Sequence, residues 1–185
     1  MADNLLWHCI LPIMNALSRT LACLVIALLA PFVVAQDLPV KFDPQRDAAK
    51  DLMTAQSLAK TTGKRVVVDV GGEWCRWCRM LDRLIASHPQ IDAFIDRHYV
   101  WLKVSYSAEN KNAALLSKWP KIRAYPYLLI LDADGRLLHA QGVQGLEIET
   151  ENEAEEDYDP DRVMAFLKRY ANMATTAPRP VPSHD

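Results

Sequence analysis

Residues 65–80 read RVVVDVGGEWCRWCRM, an apolar run joined to two cysteines that stand three positions apart. The unbroken valines predict a strand that is buried on both faces, as in the middle of a sheet covered by helices. The residues after Cys75 follow the spacing of an amphipathic helix, and on the first turn of a helix residues i and i+3 are neighbours. Cys75 and Cys78 are therefore expected to close a disulfide and to open it again, as a redox centre does.

The two cysteines are expected to differ in reactivity. The amino-terminal end of a helix carries roughly half a positive charge, which favours a thiolate over a thiol. Cys75 is thus predicted to be the acidic and exposed member of the pair, and Arg76 and Arg79 add two cations that stabilise its thiolate further. Cys78, one turn deeper, is predicted to be the shielded thiol that resolves a mixed disulfide.

Length and composition indicate one ordinary globular domain with additions at its ends. The chain has 185 residues, of which 50% are hydrophobic and 24% are charged, and both fractions are usual for globular domains. The formal net charge of −2 gives no reason to expect nucleic acid as a partner. Partners have to be inferred from the cysteine pair.

The first 35 residues have the pattern of a signal peptide. Leu21–Ala35 is an apolar run of 15 residues behind Arg19, shorter than the roughly 20 residues that a spanning helix needs. Its small-residue end predicts cleavage before Gln36 and export, most simply to the periplasm. An uncleaved membrane anchor is the alternative, and translation from Met14 instead of Met1 would give a more regular signal.

Removal of residues 1–35 would also remove Cys9 and Cys23, which leaves Cys75 and Cys78 as the only cysteines of the mature chain. An exported domain of about 150 residues can build a sufficient core without disulfide staples. The remaining pair is therefore interpreted as redox-active and not as a structural disulfide.

The remaining sequence predicts an α/β domain over residues 36–173 and a proline-rich, disordered tail at 174–185. The expected sheet is mixed, has four to five strands and is flanked by helices. The predicted elements, in order, are a short strand at 38–42, a helix at 45–61, a strand at 65–70, a helix from Cys75 to 88, a helix at 90–97, a strand at 99–104, a helix at 112–119, strands at 125–131 and 136–139, and a helix from Asp159 onward.

An acidic insertion at 147–159 precedes the last helix. From Glu147 to Asp161 there are nine acids and no base, whereas the rest of the mature chain holds 20 bases against 13 acids. Three interpretations stay open: a solvated loop, a docking surface for a basic partner, or a weak divalent cation site.

The order of these elements and two motifs resemble thioredoxin-fold proteins over residues 38–173. The motifs are Trp74-Cys75-x-x-Cys78 after the buried strand, and Tyr125-Pro126 at the start of a later strand. The resemblance implies a thioredoxin fold and a cis peptide bond before Pro126. It also implies that Asp69 is the buried acid that takes the proton of the resolving thiol.

Each of these assignments has a structural alternative. Asp69 could be an ordinary polar residue at a strand end, and Lys103, which matches the family's buried lysine, could extend to solvent along apolar surface. Trp74 and Trp77 could serve packing alone. Pro126 could be a plain edge-strand proline.

The function that these residues predict is thiol-disulfide exchange with exported proteins that carry thiols or disulfides, with a membrane electron donor or acceptor as a further partner. Cys75, Cys78 and Asp69 are the predicted catalytic residues. The predicted substrate-binding residues are Trp74, Arg76, Trp77, Tyr125 and Pro126. We expect a monomer with no cofactor or metal beyond the redox-active disulfide.

Two other functions remain open from the sequence. The pair could bind copper as part of an exported metal-handling protein, or it could be a remnant in a non-catalytic adaptor. The dipeptide Arg76-Trp77 between the cysteines and the glycines Gly71 and Gly72 depart from familiar thioredoxins. These departures leave the direction of electron flow undecided.

Overall fold

The computed structural model describes residues 37–171. The predicted signal peptide at 1–35 and the predicted tail at 174–185 lie outside this range. The helices are α1 (Ala48–Thr62), α2 (Arg76–Ser87), α3 (Pro89–His98), α4 (Ala113–Leu116) and α5 (Pro160–Ala171). The strands are β1 (Arg65–Gly71), β2 (Tyr99–Ser105), β3 (Tyr127–Leu131) and β4 (Leu137–Gln141).

The four strands form one mixed sheet in the order β2-β1-β3-β4. β1 runs parallel to β2 and antiparallel to β3, and β4 returns antiparallel to β3. Helices cover both faces of this sheet, since one apolar cluster draws on α1 and another on α2, α3 and α5. The predicted α/β thioredoxin fold with a mixed sheet of four to five strands is thus confirmed, with four strands in the described range.

β1 lies in the middle of the sheet, as its valines predicted. Val66, Val68 and Val70 belong to the cluster on the α1 side, and Val67 belongs to the cluster on the α2 side. Because side chains alternate along a strand, Asp69 faces the same side as Val67, towards the helix that carries the cysteines. The alternation along β1 therefore places an acid beneath the redox pair.

Two predicted helices have different bounds. The first was expected over 45–61 with Asp43 as its cap, but α1 begins at Ala48 because Asp47 accepts hydrogen bonds from the N–H groups of Ala49 and Lys50. Asp43 instead accepts a hydrogen bond from Gln45 N–H in the preceding turn. The helix expected over 112–119 is reduced to α4.

The strand predicted at 38–42 is wrong. Residues 38–42 contain no strand in the structure, and Val40 is 84% exposed. The apolar residues there do not pair with the sheet because Phe42 turns onto the cysteine pair. A short apolar run can serve as a strand or as a cover, and its spacing alone does not separate the two.

The acidic insertion is largely exposed but contains hydrogen-bonded structure. Glu147 and Tyr158 form an isolated antiparallel bridge, and Ile148 N–H donates to the Asp157 carbonyl. A short 3-10 helix, Glu153–Glu155, lies between them. Arg162 of α5 binds the Glu149 carboxylate at 2.7 Å, which ties the insertion to the domain.

Candidate active site

The cysteine pair is a disulfide at the start of α2. Cys75 is the N-cap residue of that helix, and the Cα atoms of Cys75 and Cys78 lie 5.2 Å apart. Cys75 Sγ accepts a hydrogen bond from Cys78 N–H at 3.1 Å. A sulfur at this position receives a backbone donor and the positive end of the helix dipole, both of which stabilise a thiolate.

The prediction that Cys75 is exposed is wrong for the disulfide form, in which Cys75 is 4% and Cys78 1% exposed. The two cysteines form a small apolar cluster with Phe42, against which Trp77 and Tyr125 also pack. Phe42 and Tyr125 are distant from the pair in sequence. The shielding of Cys75 therefore results from tertiary contacts that the local pattern does not contain.

Phe42 is a site residue that the sequence analysis missed. It is 5% exposed, and its backbone N–H donates to Glu73 Oε1 at 3.1 Å. The centre of its ring lies 4.3 Å from Lys103 Nζ. The sequence offered one signal, since Phe42 is the only aromatic residue between Gln36 and Trp74.

The two arginines beside the pair have partners of their own. Arg76 Nη1 lies 3.0 Å from Glu156 Oε2 of the acidic insertion. Arg79 Nη1 donates to the Glu73 carbonyl at 2.6 Å. Because Glu156 offsets the charge of Arg76, the arginines stabilise a Cys75 thiolate less than the sequence suggested. The helix N-terminus and the Cys78 N–H remain as direct stabilising groups.

Aromatic side chains form a surface on one side of the pair. Trp74 is 56% exposed, and its Nε1 donates to the Tyr106 carbonyl at 2.8 Å. Its ring meets Tyr125 edge-on at 5.3 Å, and Tyr125 stacks on Tyr106 at 5.0 Å. Burial, followed by a hydrogen bond with Tyr106, raises the pKa of Tyr125 to about 12, so its hydroxyl stays neutral.

The other predicted binding residues lie around this aromatic surface. The Tyr125–Pro126 peptide bond is cis, as predicted, and Pro126 is buried. Trp77 packs against the cysteine cluster, and its ring also meets Tyr158 edge-on at 5.3 Å. Of the five residues predicted to bind substrate, Trp77 and Tyr125 thus pack against the cysteine cluster, and Trp74 meets Tyr125. Arg76 and Trp77 also contact the acidic insertion, through Glu156 and Tyr158.

Asp69 is a buried acid beneath the pair. It is 1% exposed, and its Oδ2 accepts hydrogen bonds from Lys103 Nζ at 3.1 Å and from Trp101 Nε1 at 3.2 Å. Its other oxygen, Oδ1, is buried without a hydrogen-bond partner. Burial raises the pKa of Asp69, although the Lys103 charge acts against this rise.

Gly71 is the residue of β1 that packs closely against Cys78. It stands two residues after Asp69, on the same face of β1, and a Cβ added at this glycine would overlap Cys78 Sγ. The side of β1 that carries Asp69 therefore also faces Cys78 Sγ at Gly71. A carboxylate with an unpartnered oxygen and a raised pKa in this place is a stronger base than an exposed aspartate.

No cluster of three or more His, Cys, Asp or Glu side chains in residues 37–171 could hold a metal ion. The cysteine pair by itself offers two sulfur ligands, whereas a closed structural zinc site takes four. Across the same residues, no helix has the length and apolar character needed to cross a membrane.

Among curated proteins, the chain is similar to two named thiol:disulfide interchange proteins. It is 34% identical to DsbE of Pseudomonas aeruginosa over 112 residues, which is 60% of this chain and 53% of the relative. It is 28% identical to DsbD of Salmonella typhi over 81 residues, 44% of this chain and 14% of the relative. The chain thus spans about half of the first relative and a smaller part of the second.

Solved structures show the same fold at low sequence identity. A disulphide isomerase from Xylella fastidiosa superposes with a TM-score of 0.58 at 21% identity, over 72% of this chain and 96% of that one. The oxidised carboxyl-terminal domain of Neisseria meningitidis DsbD gives 0.51 at 16% identity, over 71% and 99%. The sequence profile of a thioredoxin-like family matches residues 47–133, the part that runs from α1 to the end of β3. Since fold and profile agree, residues 47–133 belong to a thioredoxin-like domain.

Proposed function

We propose that this chain is a protein thiol-disulfide oxidoreductase that exchanges disulfides with exported proteins through Cys75 and Cys78. The observation that carries the proposal is the disulfide at the N-terminus of α2, on the side of β1 that holds the buried acid Asp69. The names of the relatives from Pseudomonas and Salmonella support the same chemistry.

In the reducing direction, the Cys75 thiolate attacks one sulfur of a substrate disulfide. A mixed disulfide forms between Cys75 and the substrate, and the second substrate sulfur leaves as a thiolate. Cys78 then gives its proton to Asp69 and attacks Cys75 Sγ, which releases the substrate as a dithiol and restores the Cys75–Cys78 disulfide. Run backwards, the same steps donate the disulfide to a substrate dithiol.

The aromatic surface supports a role in holding the substrate. Trp74 offers exposed apolar area directly before Cys75, and Tyr125 lies against it. An extended substrate segment beside Pro126 can hydrogen-bond to the backbone at Tyr125 in the manner of an added strand. Arg76 stands between the cysteines and would meet the substrate from the side of the acidic insertion.

The test is turnover of two substrates with opposite requirements. Reduction of insulin by the dithiol form measures reductase activity, and refolding of scrambled ribonuclease measures isomerase activity. We expect turnover in at least one of them, and a Cys78→Ser variant should accumulate substrates as mixed disulfides through Cys75. Cys75→Ser is the matched control, because it keeps the other thiol and should trap nothing. An inactive wild type with no trapped substrate would refute the proposal.

Equilibration with glutathione then fixes the direction. A reduction potential near that of thioredoxin, about −270 mV, indicates a reductase, and one near about −120 mV indicates an oxidant. The thiolate-stabilising position of Cys75 favours the oxidising side, since it stabilises the reduced form. Electron exchange with a membrane protein is part of the proposal, because an exported dithiol needs a source or a sink of electrons.

Export and domain organisation belong to the same proposal. Residues 1–35 serve as a cleaved signal, residues 36–173 form the working domain as a monomer, and 174–185 is a tail. Expression of the full chain in a bacterial host with fractionation tests this directly. The expected result is a periplasmic protein with the mass of a chain that starts at Gln36. A membrane-bound protein with the mass of the uncleaved chain would indicate the anchor instead.

A further inference from the structure

A second carboxylate, Asp82, binds the lysine that holds Asp69. Lys103 Nζ lies 2.6 Å from Asp82 Oδ1 and 3.1 Å from Asp69 Oδ2. The three groups come from different elements, since Asp69 lies on β1, Lys103 on β2 and Asp82 on α2. The Asp82 side chain is 42% exposed, whereas Asp69 and Lys103 are buried. One buried ammonium is therefore shared by a carboxylate in the core and one that reaches water.

The charges of this trio decide how Asp69 behaves. With both acids ionised the trio carries one excess negative charge. When Asp69 takes a proton, Lys103 and Asp82 remain as a neutral ion pair. Without the Asp82 charge, an ionised Asp69 would form the neutral pair with Lys103, and a proton on Asp69 would leave the ammonium unpaired in the core. Buried groups avoid such unpaired charge, so Asp82 decides whether Asp69 is an ion-pair partner or a base.

We propose that Asp82 is a positioning residue of the redox site: it binds Lys103 and thereby leaves Asp69 available to take the proton of Cys78. This inference rests on the proposed thiol-disulfide exchange. The hydrogen-bond pattern agrees with it, because Asp69 Oδ1 has no partner while Oδ2 accepts both donors. The proton that Oδ1 receives from Cys78 passes to water after the substrate has left.

The other titratable groups near Asp82 do not replace it. Tyr158 lies in the segment before α5. Its pKa is raised by burial and then by the negative charges of nearby carboxylates, which include Asp69 and Asp82, so its hydroxyl stays neutral. Arg79, one turn earlier on α2, donates to the Glu73 carbonyl. Burial acts to lower the pKa of Lys103, but the two carboxylates outweigh it, so the lysine stays charged.

The test is a titration of the Asp69 carboxyl carbon by NMR in the reduced protein. Asp82→Asn keeps the size and an oxygen acceptor for Lys103 but removes the charge. We expect the Asp69 midpoint to move down by about one pH unit, as loss of a neighbouring like charge requires. Asp82→Glu should restore it. Asp96→Asn removes an equal charge from the exposed surface of α3 and is the matched control, with an unchanged midpoint.

A kinetic readout separates this inference from the function it rests on. Cys78 releases a bound peptide from Cys75 at a rate that falls at acid pH, when Asp69 becomes protonated. In Asp82→Asn this fall should occur at a lower pH, by the same shift as the Asp69 midpoint. The plateau rate should fall up to tenfold, because Asp69 becomes a weaker base. An Asp69 midpoint that moves no further in Asp82→Asn than in Asp96→Asn would overturn the inference.

Two further outcomes are informative. If the midpoint shifts but no variant reduces any protein disulfide, the charge arrangement stands and the proposed function fails. If Asp82→Asn does not fold, Asp82→Ser removes the same charge with a smaller side chain, and the same comparison with Asp96→Asn decides the question.

Discussion

Truncation of Phe42 should weaken the fold and uncover the redox pair together. Phe42 is 5% exposed and belongs to the same small cluster as the two cysteines, and the centre of its ring lies 4.3 Å from the Lys103 ammonium. Buried Phe→Ala changes cost about 3–5 kcal/mol. Phe42 belongs to a small cluster separate from the two main apolar clusters, so we expect the lower end of this range, about 3 kcal/mol. This figure includes the contact of the ring with the ammonium, worth about 1–2 kcal/mol when desolvated.

Two companion variants separate these contributions. Phe42→Leu keeps most of the apolar cover and loses the ring, so it should cost about 1–2 kcal/mol. Val40→Ala changes an exposed side chain in the same segment and should stay within about 0.5 kcal/mol. Urea unfolding of the oxidised protein measures all three free energies.

Thiol reactivity is the second readout for the same variants. In the reduced protein, Phe42→Ala should raise the rate at which iodoacetamide alkylates Cys75, because the cover over both sulfurs is gone. Phe42→Leu should stay near the wild-type rate. The reasoning is refuted if Phe42→Ala costs no more free energy than Val40→Ala and leaves the alkylation rate unchanged.

Three other substitutions test the surroundings of the pair. The pKa of Asp69 in the folded protein is raised above its ordinary value of 3.8. The free energy of unfolding should therefore fall as the pH rises from about 3.8 through the folded pKa. The total fall should be about 1.4 kcal/mol for each unit by which folding raises the pKa. Asp69→Asn should abolish this fall in urea titrations between acid and alkaline pH, and parallel wild-type and variant curves would contradict it. Gly71→Ala should lower the free energy of unfolding by about 1–3 kcal/mol in thermal unfolding, because the new Cβ would overlap Cys78 Sγ. An unchanged stability would mean that Cys78 Sγ can move aside without a cost. Glu156→Gln removes the carboxylate beside Arg76 and should raise the reduction potential by about 10 mV, the equivalent of about 0.5 kcal/mol for an exposed pair. A lower potential in glutathione buffers would show that Glu156 acts on the pair in another way.

The centre of the domain was predictable because local pattern and tertiary structure agree there. The valines of β1 are buried on both faces as their unbroken run indicates, and the spacing of Cys75 and Cys78 places them on one helical turn. Pro160 begins α5 as the Asp-Pro signal predicts. In each case the residues that decide the element lie inside it.

The errors at the redox site share one physical origin, which is contact between distant segments. Nothing near Phe42 in the sequence indicates that it covers sulfurs more than thirty positions away. The burial of Cys75 depends on that contact and on Tyr125, so it could not be obtained from helix position alone. Asp82 was likewise overlooked, because it lies on α2 and its partner Lys103 lies 21 positions away on β2.

The two layers of charge around the pair act on different steps of the proposed reaction. Near the helix N-terminus, Glu156 offsets Arg76 close to Cys75, so it affects the stability of the attacking thiolate and hence the potential. Beneath the helix, Asp82 offsets Lys103 close to Asp69, so it affects removal of the proton from Cys78 and hence the rate of resolution. In both places a carboxylate partly neutralises a cation that would otherwise act on the redox site with its full charge. Because the two acids act through separate cations, the equilibrium and the rate of disulfide exchange can be changed independently in this chain.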